Sequence, residues 1–384
     1  MAAGPNALDL RALAEERHRD PAVVRERAAE LLADPDQPAG IVPVAEWVLG
    51  LALHELGRAE EAADHLRRGA RAARRQGDAE TEALARAGLA ISLLSLGRTT
   101  AARREITRAA AGAPASARGR VDFLSGLVDQ RIGRLDGALA RYQAALPRLR
   151  REHDEHSVAR ALLNRGTLLA YRGQVDAALV DFAEVEALAA RLGLPVLVAM
   201  AAHNAGFALG RRGAVGEALR AFARAEAAYD ALARPPRLVA VLASDRCDVL
   251  LQAGLADDAR ASAEAAVAAL AGVDAAHAAE ARLLLAQACL AAGDLDAASA
   301  EATAAARAFR SARRSPWAAL AGYVAVRAEV RAREDDLAPP PRSLLDRSLA
   351  AARRLEEQGW VVEALHARTF VGRVALALGR GPLA

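Results

Sequence analysis

The sequence predicts an all-α protein, a solenoid of stacked antiparallel helix pairs. Three observations predict it. A glycine recurs at Gly57, Gly97, Gly133, Gly173, Gly213, Gly254 and Gly293, at intervals of 36 to 41 residues. Five residues after each stands an alanine: Ala62, Ala102, Ala138, Ala178, Ala218, Ala259 and Ala298. Seven residues before each stands a small residue: Gly50, Ala90, Gly126, Gly166, Gly206, Cys247 and Ala286. The first five repeats add a bulky residue nine after the glycine, namely Leu66, Ile106, Tyr142, Phe182 and Phe222.

Each part of this phrase has a physical reading. The glycine ends a first helix, where a left-handed C-cap conformation costs it least. The small residue two turns earlier lets a partner helix approach. The alanine and the bulky residue one turn apart make the apolar stripe of a second helix. Neither helix buries its face alone, so neighbouring pairs must stack.

Taken in order, residues 6–18 and 21–33 form an opening helix pair. Asp20 followed by Pro21 is a helix start, an N-cap and then proline at the first position. A Pro/Gly-rich stretch, 34–43, follows. First helices are expected over 44–56, 81–96, 117–132, 157–172, 195–212, 237–253 and 276–292, each with its second helix after the turn glycine. Beyond Arg313 the pattern loosens into a helix from Pro316, a proline-rich insertion at 334–341, a helix at 343–357 and a last first helix at 360–378. The domain division is therefore 1–43, 44–314 (seven repeats of about 40 residues) and 315–384. The chain stops at GRGPLA, where a second helix should begin, which points to a chain cut from something longer over an irregular cap.

Composition narrows the function classes. Alanine dominates, aromatics are 3% and no strand-like alternation is present, which favours close helix packing. The sequence contains no lysine, and its net charge is only +3, too small by itself to imply nucleic acid or membrane. Cys247 and Cys289 fall at small-residue or core positions and read as buried free thiols of a reducing compartment. The first twenty residues have no apolar core, so no signal peptide is expected. The uncharged run 192–210 contains Pro195, His203 and Asn204 in repeat register and reads as a buried repeat helix, not a membrane span. A cytoplasmic location is expected.

No motif carries chemistry. The glycines at 206–216 do not fit nucleotide-loop spacing, and GxSxG and HExxH are absent. Glu152–His156, EHDEH, is metal-like in composition, but such a run is more often a solvated loop with acids near a helix start. Neither metal, cofactor nor enzymatic activity is expected. The arginines at 67–75, 148–151, 313–314 and 353–354 complement helix dipoles and lack interleaved aromatics to stack on bases, so nucleic acid is not the expected partner.

The phrase of small residue, glycine turn, alanine and aromatic resembles the tetratricopeptide (TPR) repeat over about residues 44 to 313. The family's tryptophan is absent at Glu46, Arg86, Asp122, Leu162, Ala202, Ala243 and Arg282, although Trp47 lies one residue off. The segments DRCDVLLQAGLADDA (245–259), AEARLLLAQACLAAGDLDAA (279–298) and AFRSARRSPWAALA (308–321) resemble the TPR arrays of actinobacterial CHAT-domain proteins. Similar arrays also follow the ATPase module of large bacterial transcription regulators. The resemblance implies a right-handed superhelix whose first helices line a concave groove. Counted back from the turn glycines, the groove positions are Arg120, Phe123 and Gln130; Arg160, Asn164 and Thr167; Met200, His203, Asn204 and Phe207; and Ser244, Asp245 and Asp248. Polar groups among apolar ones suit a protein or peptide ligand. In some TPR proteins an asparagine at the place of Asn164 and Asn204 helps clamp a peptide's C-terminal carboxylate. The rest of that clamp is missing, with Phe123 and Leu127 where it should begin, so chaperone-tail binding is not expected. The implied function is an interaction scaffold, the regulatory arm of a CHAT-type effector whose partner is a caspase-like domain of the same protein. The alternative is a stand-alone adaptor or the TPR part of a nucleic-acid-associated regulator.

Overall fold

The structure, a computed structural model, describes residues 7–18, 20–35, 37–38, 40–333 and 342–379. The expected insertion at 334–341 and the end of the chain after Gly379 lie outside the described residues. The described residues form α-helices and no strand. In order these are α1 Ala7–Glu16, α2 Pro21–Ala33, α3 Val42–Glu55, α4 Ala59–Gln76, α5 Ala79–Ser95, α6 Thr99–Gly112, α7 Ala115–Arg131, α8 Leu135–Arg151, α9 Glu155–Tyr171 and α10 Val175–Leu192. They continue with α11 Pro195–Arg211, α12 Val215–Asp230, α13 Pro236–Gln252, α14 Ala256–Leu270, α15 Ala275–Ala292, α16 Leu295–Ser311, α17 Ser315–Arg331, α18 Arg342–Glu357 and α19 Val361–Ala377. The chain divides into two compact units, residues 1–201 and 202–384. No helix among the described residues is long and apolar enough to cross a membrane.

The turn glycines do what the phrase requires. All seven take φ between 71° and 85°. At the first, Gly57 N donates to His54 O and Arg58 N donates to Leu53 O, both at 2.9 Å, which closes α3 with its last carbonyls satisfied. The next helix then begins within two residues.

In four of the pairs the small residue is a glycine that faces the bulky one. A Cβ built on Gly166 would lie 2.7 Å from Phe182 Cε1, and one on Gly126 would lie 2.6 Å from Tyr142 Cε1. Gly50 stands in the same relation to Leu66, and Gly206 to Phe222. The rings and the alanines five after the turns are buried: Tyr142, Phe222, Ala138 and Ala178 are all 0% exposed. In unit 1 a continuous apolar core runs from Leu10 to Val128. In unit 2 the largest core runs from Ala279 to Ala375.

The positions where TPR resemblance expects tryptophan hold something else. In four repeats a charged residue there pairs with the residue eight after the turn glycine on the second helix. These pairs are Glu46–His65 at 2.6 Å, Arg86–Glu105 at 2.8 Å, Asp122–Arg141 at 3.5 Å and Arg282–Glu301 at 2.7 Å. In two more repeats the same second-helix position is reached from one turn further along the first helix, by Arg165 to Asp181 and by Arg246 to Ser262. A polar strut thus replaces an indole as the link between paired helices. Its acidic members Glu105, Asp122 and Asp181 are buried, and each has its guanidinium, as a buried charge requires.

Candidate functional site

In unit 1 the faces of α3, α5, α7 and α9 enclose an open cavity of ≈ 270 Å³, and the C-terminal end of α1 forms its remaining wall. The first helices deliver these side chains because their other faces are committed to the second helices. The apolar part of the lining is Trp47 and Leu51 from α3, Leu84 and Ile91 from α5, and Phe123, Leu124 and Leu127 from α7. Gly88 keeps the floor low.

The polar part is cationic. Arg120 and Arg131 come from α7, Arg160 and His156 from α9, His54 from α3, and Arg17 and His18 from the turn after α1. Only Glu15 and Glu55 oppose them within the lining. Arg120 Nε donates to Asp154 Oδ2 at 2.5 Å and Arg120 Nη2 lies 2.8 Å from Glu15. Burial alone would lower Arg120; Asp154 and Glu15 outweigh it and raise it. Asp154 also caps α9, accepting from Ser157 N at 3.0 Å. It is buried, not solvated as the loop reading of Glu152–His156 expects, because His153 takes φ 55° and the chain turns Asp154 inward onto Arg120. His156 stacks on His18 with ring centres 6.0 Å apart. No group of three His, Cys, Asp or Glu that could hold a metal occurs among the described residues.

His18 Nε2 accepts from Arg160 Nη1 at 3.2 Å and His18 Nδ1 lies 3.5 Å from Glu55. Burial first, then the charges of Arg17, Arg160, His156 and Arg120, push it down to about 2, so it is neutral. Burial likewise lowers His54, with Glu55 opposing and Arg131, Arg160 and Arg17 adding to the effect. Arg160 also lies over the Phe123 ring at 5.9 Å.

Of the groove positions expected in unit 1, Arg120, Phe123 and Arg160 line this cavity. Of the other four, Met200 is half-buried on α11 and three make hydrogen bonds within the protein. Gln130 Oε1 accepts from Tyr142 Oη at 2.7 Å, Asn164 Nδ2 donates to Arg160 O, and Thr167 Oγ1 donates to Leu163 O. The bond of Asn164 runs within its own helix, not between helices, because the carbonyl one helical turn earlier is the nearest acceptor on that face. Arg17, His18 and His54 were not expected. Arg17 and His18 enter from a separate helix, for which the repeat register has no position.

In unit 2 the groove positions form an acidic group. His203 is 4% exposed, and its Nε2 is 2.8 Å from Asp245 Oδ2. Its ring stands edge-on to Phe222 and Tyr229. His203 is therefore a buried spacer beneath Asp245, not an open groove side chain. Asp248 reaches the surface, yet surrounding protein and then Asp245 push it up to about 6. Asn204 is half-buried, and Arg211 lies over the Phe207 ring at 5.9 Å. The arginine pair 313–314 departs from the expectation of no aromatics, with Arg314 over both Phe309 and Trp317 at 5.3 and 5.1 Å. It is also held by Glu280 at 2.6 Å, so the stack is structural.

No protein-family model matches this chain, and no curated protein matches it in sequence. Solved structures do match. A Rap protein complexed with Competence and Sporulation Factor is similar with TM-score 0.61 and 13% identity, over 90% of this chain and 100% of that one. A signal transduction ATPase with numerous domains (STAND) from Pyrococcus horikoshii, which has a tetratricopeptide repeat sensor, is similar with TM-score 0.63 and 14% identity. That match covers 91% of this chain and 54% of the other. Aspartyl phosphate phosphatase F from Bacillus subtilis gives 0.53 and 13%, over 97% and 96%. At such identities the likeness is one of fold. With the glycine-turn helix pairs, it defines this chain as an α-solenoid of the tetratricopeptide type.

Proposed function

We propose that the protein is a non-enzymatic binding scaffold that takes a peptide or protein segment on the face of its first helices. The unit 1 cavity carries this reading. It combines an apolar floor with convergent guanidinium and imidazole groups, the mixture that reads side chains and backbone of an extended or helical ligand. Arg120, Phe123 and Arg160 are its contact residues in unit 1. Asn204, Phe207, Asp245 and Asp248 are those of unit 2. The Rap structure, solved with a bound factor, supports ligand capture as a use of this fold.

At a finer level we read the chain as the sensor or regulatory arm of a larger bacterial CHAT-type effector in the cytoplasm. The caspase-like domain of the same protein is then the partner. The resemblance of 245–259, 279–298 and 308–321 supports this, as does the tetratricopeptide sensor of the STAND protein. A stand-alone adaptor is the other reading of the same groove.

The test is selection of a random peptide library on the immobilised full chain, followed by the same selection on Leu127→Arg, which fills the cavity. Enriched peptides that lose binding to Leu127→Arg are expected. A library that enriches nothing, or only peptides indifferent to Leu127→Arg, removes the unit 1 groove as the binding site.

A further inference from the structure

The helix that closes the unit 1 cavity is a poor fit at one end. α1 docks with Leu10, Leu13 and Ala14 buried and with Glu15 on Arg120 at 2.8 Å. Those contacts are well matched. Immediately after them the chain drives a cation, Arg17, into a cavity that already holds Arg120, Arg131 and Arg160. Arg17 bonds back to Ala14 O, its Nε is buried with no hydrogen-bond partner among the described residues, and Glu55 lies 3.8 Å away. Burial pushes Arg17 down to about 10. His18 sits among the same arginines and stays neutral. Meanwhile Arg160 and Arg131 have no carboxylate within ion-pair distance among the described residues; the guanidinium of Arg160 donates to His18 instead.

A guanidinium in a partly desolvated cleft gains most from a carboxylate, which it binds through two parallel N–H donors. An unsatisfied buried donor costs the occupant that leaves it so. The cavity thus favours carboxylates at the two places where the turn after α1 supplies Arg17 and His18.

We propose that α1, with the turn after it, is a displaceable wall of this cavity, and that the partner which replaces it is an amphipathic helix carrying carboxylates in the places of Arg17 and His18. Its apolar face takes the place of Leu10 and Leu13, and its acidic end reaches Arg160 and Arg131. This rests on the groove reading above and gives its ligand a chemical class.

The experiment uses the full chain. In cis, Arg17→Glu/His18→Glu should anchor α1, slowing amide exchange over residues 7–18 by about tenfold or more, the equivalent of one charge-assisted hydrogen bond. Arg160→Gln should cancel that gain, whereas Arg160→Lys should keep part of it. In trans, a fluorescent peptide copying residues 7–18 with glutamate at both positions should bind at least about tenfold tighter than the unaltered copy. It should bind less to the Arg17→Glu/His18→Glu chain, whose cavity is filled. Unchanged exchange in the cis variant overturns the proposal, as does equal binding of the two peptides. Library peptides that occupy the cavity while α1 keeps its protection would also overturn it and leave the groove reading standing. Failure of the library selection alone would remove the groove reading, while the cis variant would still decide whether α1 prefers carboxylates.

Discussion

The contact between the small residue and the ring is the element on which the repeat stands, and Gly206 offers a clean perturbation of it. A Cβ at Gly206 would lie 2.7 Å from both Cδ1 and Cε1 of Phe222 and 3.1 Å from its Cγ. Phe222 is 0% exposed, so the ring has no free space to move into. Gly206→Ala should gain about 1 kcal/mol from the higher helix propensity of alanine and lose about 1–3 kcal/mol from overpacking. The two terms are separated by a control in the same unit. Gly322, in the middle of α17, would place a Cβ with nothing within 4 Å. Gly322→Ala carries the propensity gain alone and should stabilise α17 by about 0.5–1 kcal/mol.

The assay is native-state hydrogen exchange on the full chain, since a stacked array opens locally and a single unfolding free energy would blur the two sites. The quantity read is the difference between the changes in local opening free energy at α11–α12 for Gly206→Ala and at α17 for Gly322→Ala. It should be about 1–3 kcal/mol, the overpacking cost. On a Phe222→Ala background the difference should shrink toward zero, because truncation at Cβ vacates the space the new methyl needs, which leucine would not do: a Cβ on Gly50 would lie 2.5 Å from Leu66 Cγ. Equal stabilisation at both glycines, or a difference that stays undiminished on the Phe222→Ala background, would refute close helix approach as the reason for the small residue.

Three further outcomes are expected. Arg165→Gln leaves Asp181, 2% exposed, without its bidentate partner and should destabilise α9–α10 by about 3 kcal/mol, read by exchange and urea midpoint. His18 is depressed in the fold to about 2 from an ordinary 6.5, so the docking of α1 is fully supported above pH 6.5 and weakens as pH falls below it. The groups facing it are Arg17, Arg120, Arg160, His156 and Glu55; proteolysis near α1 should quicken from about pH 7.5 to about pH 5.5, and His18→Gln should flatten that dependence. Cys247 is pushed up to about 12 by burial and then by Asp248, and Cys289 is also raised, so a disulfide reagent at about pH 8 should titrate both thiols only after unfolding.

The helix pairs were legible because their determinants are local. Gly166 and Phe182 fall within one repeat, as does every contact that defines the pair, so periodicity in the sequence is periodicity in space. The struts were less legible for the same reason inverted. The pairing of position eight after the turn survives a swap of charge sign, as in Glu46–His65 and Arg86–Glu105, and a shift of one helical turn, as in Arg165–Asp181. A motif defined by residue identity passes over a rule defined by complementarity. Asn164, expected in the groove, gives one amide N–H to Arg160 O of its own helix, a bond that repeat register does not foretell.

The cavity's chemistry was the least legible part, and the cause is again the range of the contacts. Repeat register brings Arg120, Phe123 and Arg160 to one face, but the cationic excess there depends on which charges a distant segment adds. Arg160 meets His18 across 142 residues of chain. Had the turn after α1 carried carboxylates, the lining would have no cationic excess. Because it carries Arg17 and His18, Arg131 and Arg160 have no carboxylate within ion-pair distance among the described residues, and under the proposal above the affinity of the groove is set as much by how weakly α1 is held as by what the groove itself contains. Charge in an array of this kind is therefore a property of the occupant and the groove together, which is why a variant of α1 is a sharper probe of the ligand than a variant of the repeats.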